Sequence, residues 1–143
     1  MLKRKNEGAS MKYYISSSFG NMHTVRSVAS SLHEKGFVQT YDWTKNQRAN
    51  TLNDLMEIGE QEKQAILDSD FLIVLSPAGK GSHIEFGIAL GVGKPIYLYS
   101  EHTNILDFAT TSTFYHVKGV QTFVGELSSF IDFVLSERSM IHR

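Results

Sequence analysis

Residues Ser76–Glu101, SPAGKGSHIEFGIALGVGKPIYLYSE, directly follow the apolar run Phe71–Leu75. A continuous apolar run of this length is typical of a buried parallel strand. The loop after it contains glycine, and the apolar segment from Gly81 to Gly93 carries one charged residue, Glu85. Open α/β sheets bind their ligands just past the carboxyl ends of strands. The pattern therefore predicts that Glu85 is either a helix cap or a reactive group.

Outward from this stretch, strand-like and helix-like segments alternate, which predicts right-handed crossovers and a parallel sheet. The predicted strands are Lys12–Ser16, Phe37–Tyr41, Phe71–Leu75, Pro95–Tyr99 and Phe114–Val117. The predicted helices are Met22–Lys35, Leu52–Leu67, His83–Val92 and Phe123–Leu135. We expect a single-domain α/β three-layer sandwich, flavodoxin-like or Rossmann-like, in which helices cover both faces of a parallel five-stranded sheet. Residues 1–11 are predicted to be a flexible basic tail, and residues 12–143 the domain.

The composition favours a small-molecule site over a polymer-binding surface. A net charge of −1 gives no overall attraction to nucleic acid or anionic membrane. No apolar run reaches the roughly 18 residues of a spanning helix. The chain has no cysteine, and its six histidines show no metal-ligand spacing. We therefore expect a cytoplasmic protein without metal or cofactor.

The segment Ser82-His83-Ile84-Glu85 fits a capping box, with Ser82 as the N-cap and Glu85 at the third helical position. In this interpretation the carboxylate has a structural role. In the other, Glu85 is a nucleophile or base, kept ionised by the helix dipole against the effect of its apolar surroundings. The glycines Gly79 and Gly81 either shape a turn or let a ligand approach the backbone closely. The local pattern leaves both interpretations open.

The stretch SDFLIVLSPAGKGSHIEFGIALGVGKPIYL resembles the core of the nucleoside 2-deoxyribosyltransferase-like superfamily, which includes nucleoside 5′-monophosphate N-glycosidases. KYYISSSF resembles the first strand and substrate loop of that family. YDWT resembles its tryptophan-containing loop, and EKQAILDSD its helix with an acidic residue eight positions before the strand-opening aspartate. The similarity covers most of residues 12–100.

The resemblance implies a role for each matching residue. Glu85 would be the nucleophile, Tyr14 would orient it, Asp70 would lie near the base, and Glu62 would serve the sugar hydroxyls or proton transfer, with Glu60 as a substitute. The implied substrate-binding residues are Ser17, Ser18, Phe19, Gly20, Trp43, Gly79, Gly81 and Ser82. Structural alternatives stay open: Tyr14 as a core aromatic, Asp70 in a turn, Glu62 on a solvated surface, and Trp43 as a packing residue.

A carboxylate on the sugar face suits cleavage of an N-glycosidic bond, because it can hold the sugar as a covalent intermediate while an acid protonates the base. The resemblance implies transfer of a deoxyribosyl group to another nucleobase through Glu85. Hydrolysis of nucleoside 5′-monophosphates is the alternative, and a non-catalytic nucleotide-binding or signalling module is another. The expected partner is a nucleoside or nucleotide. The region 102–143 matches no assigned motif. Its aromatic residues, together with the apolar, glycine-spaced third helix, predict a homodimer or larger oligomer.

Overall fold

A five-stranded parallel sheet forms the centre of the protein. The computed structural model describes residues 10–142, with the side chains of residues 10–139. The strand order is β2-β1-β3-β4-β5, and every neighbouring pair is parallel. The strands are β1 Lys12–Ser17, β2 Val38–Gln39, β3 Phe71–Leu75, β4 Ile96–Ser100 and β5 Val120–Val124. This is the flavodoxin-like order, which confirms the predicted fold class.

Four α-helices flank the sheet within residues 10–142: α1 Met22–Glu34, α2 Leu52–Asp68, α3 Lys80–Gly91 and α4 Leu127–His142. α1 packs against α4, whereas α2 packs against α3. The side chains of β1 alternate between these two layers. The Tyr13 hydroxyl donates to the Ala29 carbonyl on α1, and the Tyr14 hydroxyl reaches Glu85 on α3. The three-layer arrangement therefore gives the two faces of β1 different neighbours.

The core is centred on β3, whose five residues are all buried. Phe71 packs in T-shaped geometry against Tyr97 and Phe37, with ring centroids 5.6 and 6.2 Å apart. The buried Arg138 guanidinium lies 5.0 Å from the Phe71 ring centroid. A strand buried on both faces reads as a continuous apolar run, which is why β3 matches its predicted bounds at both ends.

The chain reverses its direction of winding between β1 and β3. Ser17 pairs with Leu75, so the two strands end side by side. The loops that follow also meet, because the Ser18 amide donates to the Pro77 carbonyl over 3.1 Å. In open α/β sheets this switch point, at the carboxyl ends of the strands, is where ligands bind. The fold therefore brings the loops 17–21 and 76–81 to one place.

One predicted strand in the C-terminal third is wrong, and one predicted helix has a different start. Residues 114–117 are not the fifth strand, because Thr113–His116 forms a 3-10 turn that begins where the Ser112 hydroxyl accepts from the Phe114 amide. The strand is Val120–Val124, and the closing helix starts at Leu127, later than predicted. Aromatic and β-branched residues favour strands, but here a local side-chain cap decides otherwise.

Other boundaries differ by smaller amounts. β2 contains two residues, Val38 and Gln39, where a five-residue strand was expected. Met11 is buried, and its carbonyl accepts from the Val38 amide, so the packed chain begins before residue 12. The rest of the predicted tail, residues 1–9, lies outside the described residues. None of the helices described in residues 10–142 is long and apolar enough to cross a membrane.

Candidate active site

Glu85 lies at the centre of the candidate site, on the first part of α3. Its Oε2 atom accepts a hydrogen bond of 2.8 Å from the Tyr14 hydroxyl, and its Oε1 atom accepts one of 2.6 Å from the Ser16 hydroxyl. Each carboxylate oxygen therefore has one donor from β1. Such bonds fix the plane of the carboxylate and stabilise its charged form. The structure thus brings together Glu85 and Tyr14, which sequence alone placed 71 positions apart.

Burial and hydrogen bonding have opposite effects on Glu85. Burial is the larger effect and raises the pKa of the carboxyl group, while the bonds from Ser16 and Tyr14 lower it. Burial also raises the pKa of Tyr14 far above its ordinary value, helped by the nearby charges of Glu85 and Glu62. Tyr14 therefore keeps its proton at every physiological pH and remains a donor to Glu85.

The alternation of β1 explains why both donors point the same way. In KYYISS, residues two apart share a face, so Tyr14 and Ser16 face α3 while Tyr13 and Ile15 face the other layer. Sequence reasoning missed Ser16 as a partner of Glu85. The period of two would have identified it, because Tyr14 was already a candidate and Ser16 is the next residue on its face.

Glu62 on α2 is a second perturbed carboxyl group. Burial, followed by repulsion from Glu85, raises the pKa of Glu62 from its ordinary 4.5 to about 7. A pair of carboxyl groups with different pKa values is typical of a site in which one group acts as a carboxylate and the other as a proton donor. Glu60, the substitute considered from sequence, instead lies exposed and pairs with Lys63 over 3.2 Å. The structure therefore favours Glu62 over Glu60 as a site residue.

A cleft of about 420 Å³ opens beside Glu62, and we call it the β2 cleft. Its lining residues are Phe19, Trp43, Asn46, Gln47, Arg48, Ala49, Ile58 and Glu62. Phe19 is 60% exposed and lies 6.0 Å from the Trp43 ring, centroid to centroid. Trp43 itself is 6% exposed, and its indole nitrogen donates to the Ile15 carbonyl over 2.7 Å. Trp43 is therefore a packing residue of the cleft wall, and Phe19 offers the open aromatic face.

The remaining predicted binding residues lie on the two loops at the switch point. The Ser17 hydroxyl donates to the Leu75 carbonyl, so it joins the ends of β1 and β3. Ser18 precedes the turn Phe19–Asn21 before α1, and Gly20 is the middle residue of that turn. A Cβ atom added at Gly20, Gly79 or Gly81 would meet no heavy atom within 4 Å. The surface above these glycines is therefore open.

The predicted capping box is wrong. α3 begins three residues earlier, at Lys80, with Gly79 as its N-cap. Ser82 is a buried residue of the first turn, and the Glu85 carboxylate bonds to β1. The cause is local, since the extended backbone at Gly79 already starts the helix. A structural role for Glu85 as a cap is thereby excluded.

The predicted place of Asp70 is also wrong. Its Oδ2 atom accepts from the Lys12 amide over 2.8 Å, at the amino end of β1 and β3. Glu85 binds β1 residues nearer the carboxyl end, so Asp70 lies at the opposite edge of the sheet from the site. Asp70 directly precedes β3, so it lies at the edge of the sheet where β3 starts. Asp70 therefore stabilises the strand pairing and does not join the acidic pair.

The region 102–119, which sequence left unassigned, supports the first turn of α3. The Tyr115 hydroxyl lies 2.7 Å from His83 Nε2, and the other ring nitrogen of His83 lies 2.9 Å from the Gly79 carbonyl. Tyr115 also packs against Phe86. Within residues 10–139, no group of three or more metal-ligating side chains forms.

Several solved structures share this fold, including two that superpose over most of the chain. A CMP N-glycosidase from Clostridium botulinum, BcmB, superposes with a TM-score of 0.59 at 17% identity, over 86% of this chain and 97% of that one. A conserved protein from Enterococcus faecalis V583 superposes with a TM-score of 0.51 at 17% identity, over 87% and 88%. No protein-family model and no curated protein sequence matches the chain. At this identity the likeness establishes a shared fold.

Proposed function

We propose that this protein is an N-glycosidase that cleaves nucleoside 5′-monophosphates into a free base and a sugar phosphate. The observation that carries the proposal is the Glu85 carboxylate, held by Tyr14 and Ser16 beside a second carboxyl group, Glu62, whose pKa is about 7. The fold shared with a CMP N-glycosidase supports the same reaction class. Hydrolysis thus replaces deoxyribosyl transfer, which the sequence placed first, as our preferred reaction.

In the proposed reaction, a Glu85 oxygen attacks the anomeric carbon as the bond to the base nitrogen breaks. Glu62 gives its proton to the departing base, so the base leaves neutral. The sugar is then an ester of Glu85. Water attacks the same carbon, Glu62 takes up the proton of that water, and the Glu85 carboxylate is released. The net reaction consumes one water and returns both carboxyl groups to their starting states.

The open loops at the switch point are suited to a phosphate group. Lys80, Gly81 and Ser82 begin α3, where backbone amides have no partner within the helix, and a helix start attracts anions. The turn Phe19–Asn21 opens α1 beside it. The proposal assigns the 5′-phosphate to these loops and the base to the β2 cleft, with the sugar over Glu85.

The test is a chromatographic assay of purified protein with matched pairs of nucleosides and nucleoside 5′-monophosphates. We expect free base from the monophosphates, with little or none from the nucleosides, and no product with Glu85→Gln. The matched control is Glu60→Gln, which removes an exposed glutamate outside the acidic pair. A new nucleotide formed only when a second free base is added would instead establish transfer. Absence of turnover together with ligand-induced thermal stabilisation would establish a binding module.

We also propose that the protein forms a homodimer. Leu52, Leu55 and Met56 lie on one side of α2 at helical spacing and are 85%, 58% and 57% exposed. Apolar side chains grouped in this way mark interaction surfaces. Light scattering at micromolar concentration should give twice the monomer mass. The variant Leu55→Lys should shift it to the monomer mass, and a monomeric wild-type protein would contradict the proposal.

A further inference from the structure

The β2 cleft contains an asparagine whose amide is oriented by a neighbouring tyrosine. The Tyr41 hydroxyl donates to Asn46 Oδ1 over 2.7 Å. An asparagine amide has one acceptor oxygen and one donor NH₂ group. Because Tyr41 fixes the orientation of the amide by donating to its oxygen, the Nδ2 group keeps both of its hydrogens for a ligand. Asn46 is partly buried and lines the cleft, and its Nδ2 atom has no hydrogen bond among residues 10–139.

The other polar groups of the β2 cleft also offer mainly hydrogen-bond donors. Arg48 is exposed at the cleft and, among residues 10–139, its side chain has no hydrogen bond or ion pair. A guanidinium offers donors and cannot accept. Glu62 also lines the cleft, and burial raises its pKa to about 7, so it carries a proton below neutral pH. Gln47 is the one lining amide that can present either group. The cleft therefore supplies mostly donors.

We propose that Asn46, held by Tyr41, is a specificity-determining residue that selects bases carrying a carbonyl group over bases carrying an amino group at the same position. The inference rests on the proposed function and names its substrate class. A carbonyl oxygen accepts from Nδ2, whereas an exocyclic amino group would face a second donor and leave both unpaired. Hypoxanthine is therefore preferred to adenine, and uracil to cytosine.

The discrimination follows from the cost of unpaired polar groups. A site built to hydrogen-bond one group rejects an analogue that leaves its polar atoms without partners. A good hydrogen-bonded base contact discriminates by about tenfold to a hundredfold. We expect kcat/KM for inosine 5′-monophosphate to exceed that for adenosine 5′-monophosphate by about this factor. The uridine and cytidine monophosphates should show the same direction.

The decisive variant is Asn46→Asp, because it keeps the oxygen that accepts from Tyr41 and replaces the donor NH₂ with an acceptor. The ratio of kcat/KM for the inosine and adenosine substrates should fall by about tenfold or more. Asn53→Asp is the matched control, since it adds the same charge at an exposed position of α2 outside the cleft. Tyr41→Phe frees the amide to rotate, so it should also reduce the ratio.

The outcomes separate this inference from the proposed function. A ratio near one, an adenosine preference, or a ratio that Asn46→Asp leaves unchanged would overturn the role of Asn46 even if every substrate is cleaved. If no substrate is cleaved, the proposed function fails, and dissociation constants for the two monophosphates, measured with Glu85→Gln and with Glu85→Gln/Asn46→Asp, still decide the inference. Tighter binding of the inosine nucleotide that is lost in the double variant supports it, and equal binding contradicts it.

Discussion

The two edges of the sheet both hold an acidic side chain against β1, yet the two carboxylates differ in exposure and in hydrogen-bond donors. At the amino edge, Asp70 is exposed and accepts from a backbone amide. At the carboxyl edge, Glu85 is largely enclosed and accepts from the hydroxyls of Tyr14 and Ser16. Backbone pairing at the first edge stabilises the strands, whereas side-chain pairing at the second fixes the orientation of a carboxylate.

The contrast shows that an acidic side chain in contact with β1 is not functional for that reason alone. In a parallel sheet all amino ends lie at one edge and all carboxyl ends at the other, so ligand sites occur at one edge only. A second acidic group, Glu62, lies near Glu85, and their mutual repulsion helps to raise the pKa of Glu62. The following substitutions test whether the two edges differ in function as they do in structure.

The largest effect should come from Glu85→Gln, with Asp70→Asn as the comparison. Glu85→Gln should lower kcat by at least about a thousandfold, because the amide cannot attack the anomeric carbon. Asp70→Asn should change kcat by less than about twofold, since surface positions outside a site have small effects. Steady-state base release measures both. Equal losses of kcat in the two variants would contradict a functional difference between the two edges of the sheet.

A smaller effect, visible in the pH profile, should come from Glu62→Gln. The pKa of Glu62 is raised to about 7, so its proton is present below pH 7 and lost above it. If Glu62 protonates the base, kcat falls as the pH rises through 7 in the wild type. The variant should lose about a hundredfold in kcat and should lack this decline. Glu60→Gln should keep both the rate and the profile, and a decline that persists in Glu62→Gln would assign it to another group.

Next in size is the removal of one donor to Glu85. Tyr14→Phe should lower kcat about tenfold to a hundredfold, because a hydrogen bond to a charged group is lost. The adjacent Tyr13→Phe is the matched control, since its hydroxyl faces the α1 layer and bonds to Ala29. Tyr13→Phe should keep kcat within about twofold. Measuring kcat of the two variants at one pH compares the two faces of β1 directly. Similar losses of kcat would contradict the role of Tyr14 at Glu85.

The smallest effect is expected for Asp70, at the amino edge of the sheet. Asp70→Asn weakens a charge-assisted bond to the Lys12 amide at an exposed position, so the free energy of unfolding should fall by about 1 kcal/mol or less. Urea unfolding at neutral pH measures the change. A loss of several kcal/mol would show that this edge contributes more to folding than its exposure indicates.

The sequence predicted the buried centre of the fold better than its periphery. The run Phe71–Leu75 is apolar throughout because both faces of β3 are covered, so its bounds were predictable. The fifth strand was misplaced because Ser112 caps a turn through Phe114–Tyr115, an interaction that strand propensity does not include.

The candidate site was predictable to the extent that its pattern is local or shared with the resembled family. Glu85 stood out as the one charge in an apolar segment, and its pairing with Tyr14 came from the resemblance. Ser16 followed from the alternation of β1 but was missed. Asn46 could not be found from sequence, because its significance depends on which way Tyr41 turns its amide.

The two hydroxyl donors at Glu85 also bear on how fast the proposed ester would break down. A carboxylate stabilised by hydrogen bonds is a better leaving group, because the charge that returns to it is already accommodated. Tyr14 and Ser16 would therefore shorten the lifetime of the glycosylated protein, as well as orient the carboxylate for its formation. A short-lived ester leaves little time for a competing base to enter, which favours water as the acceptor.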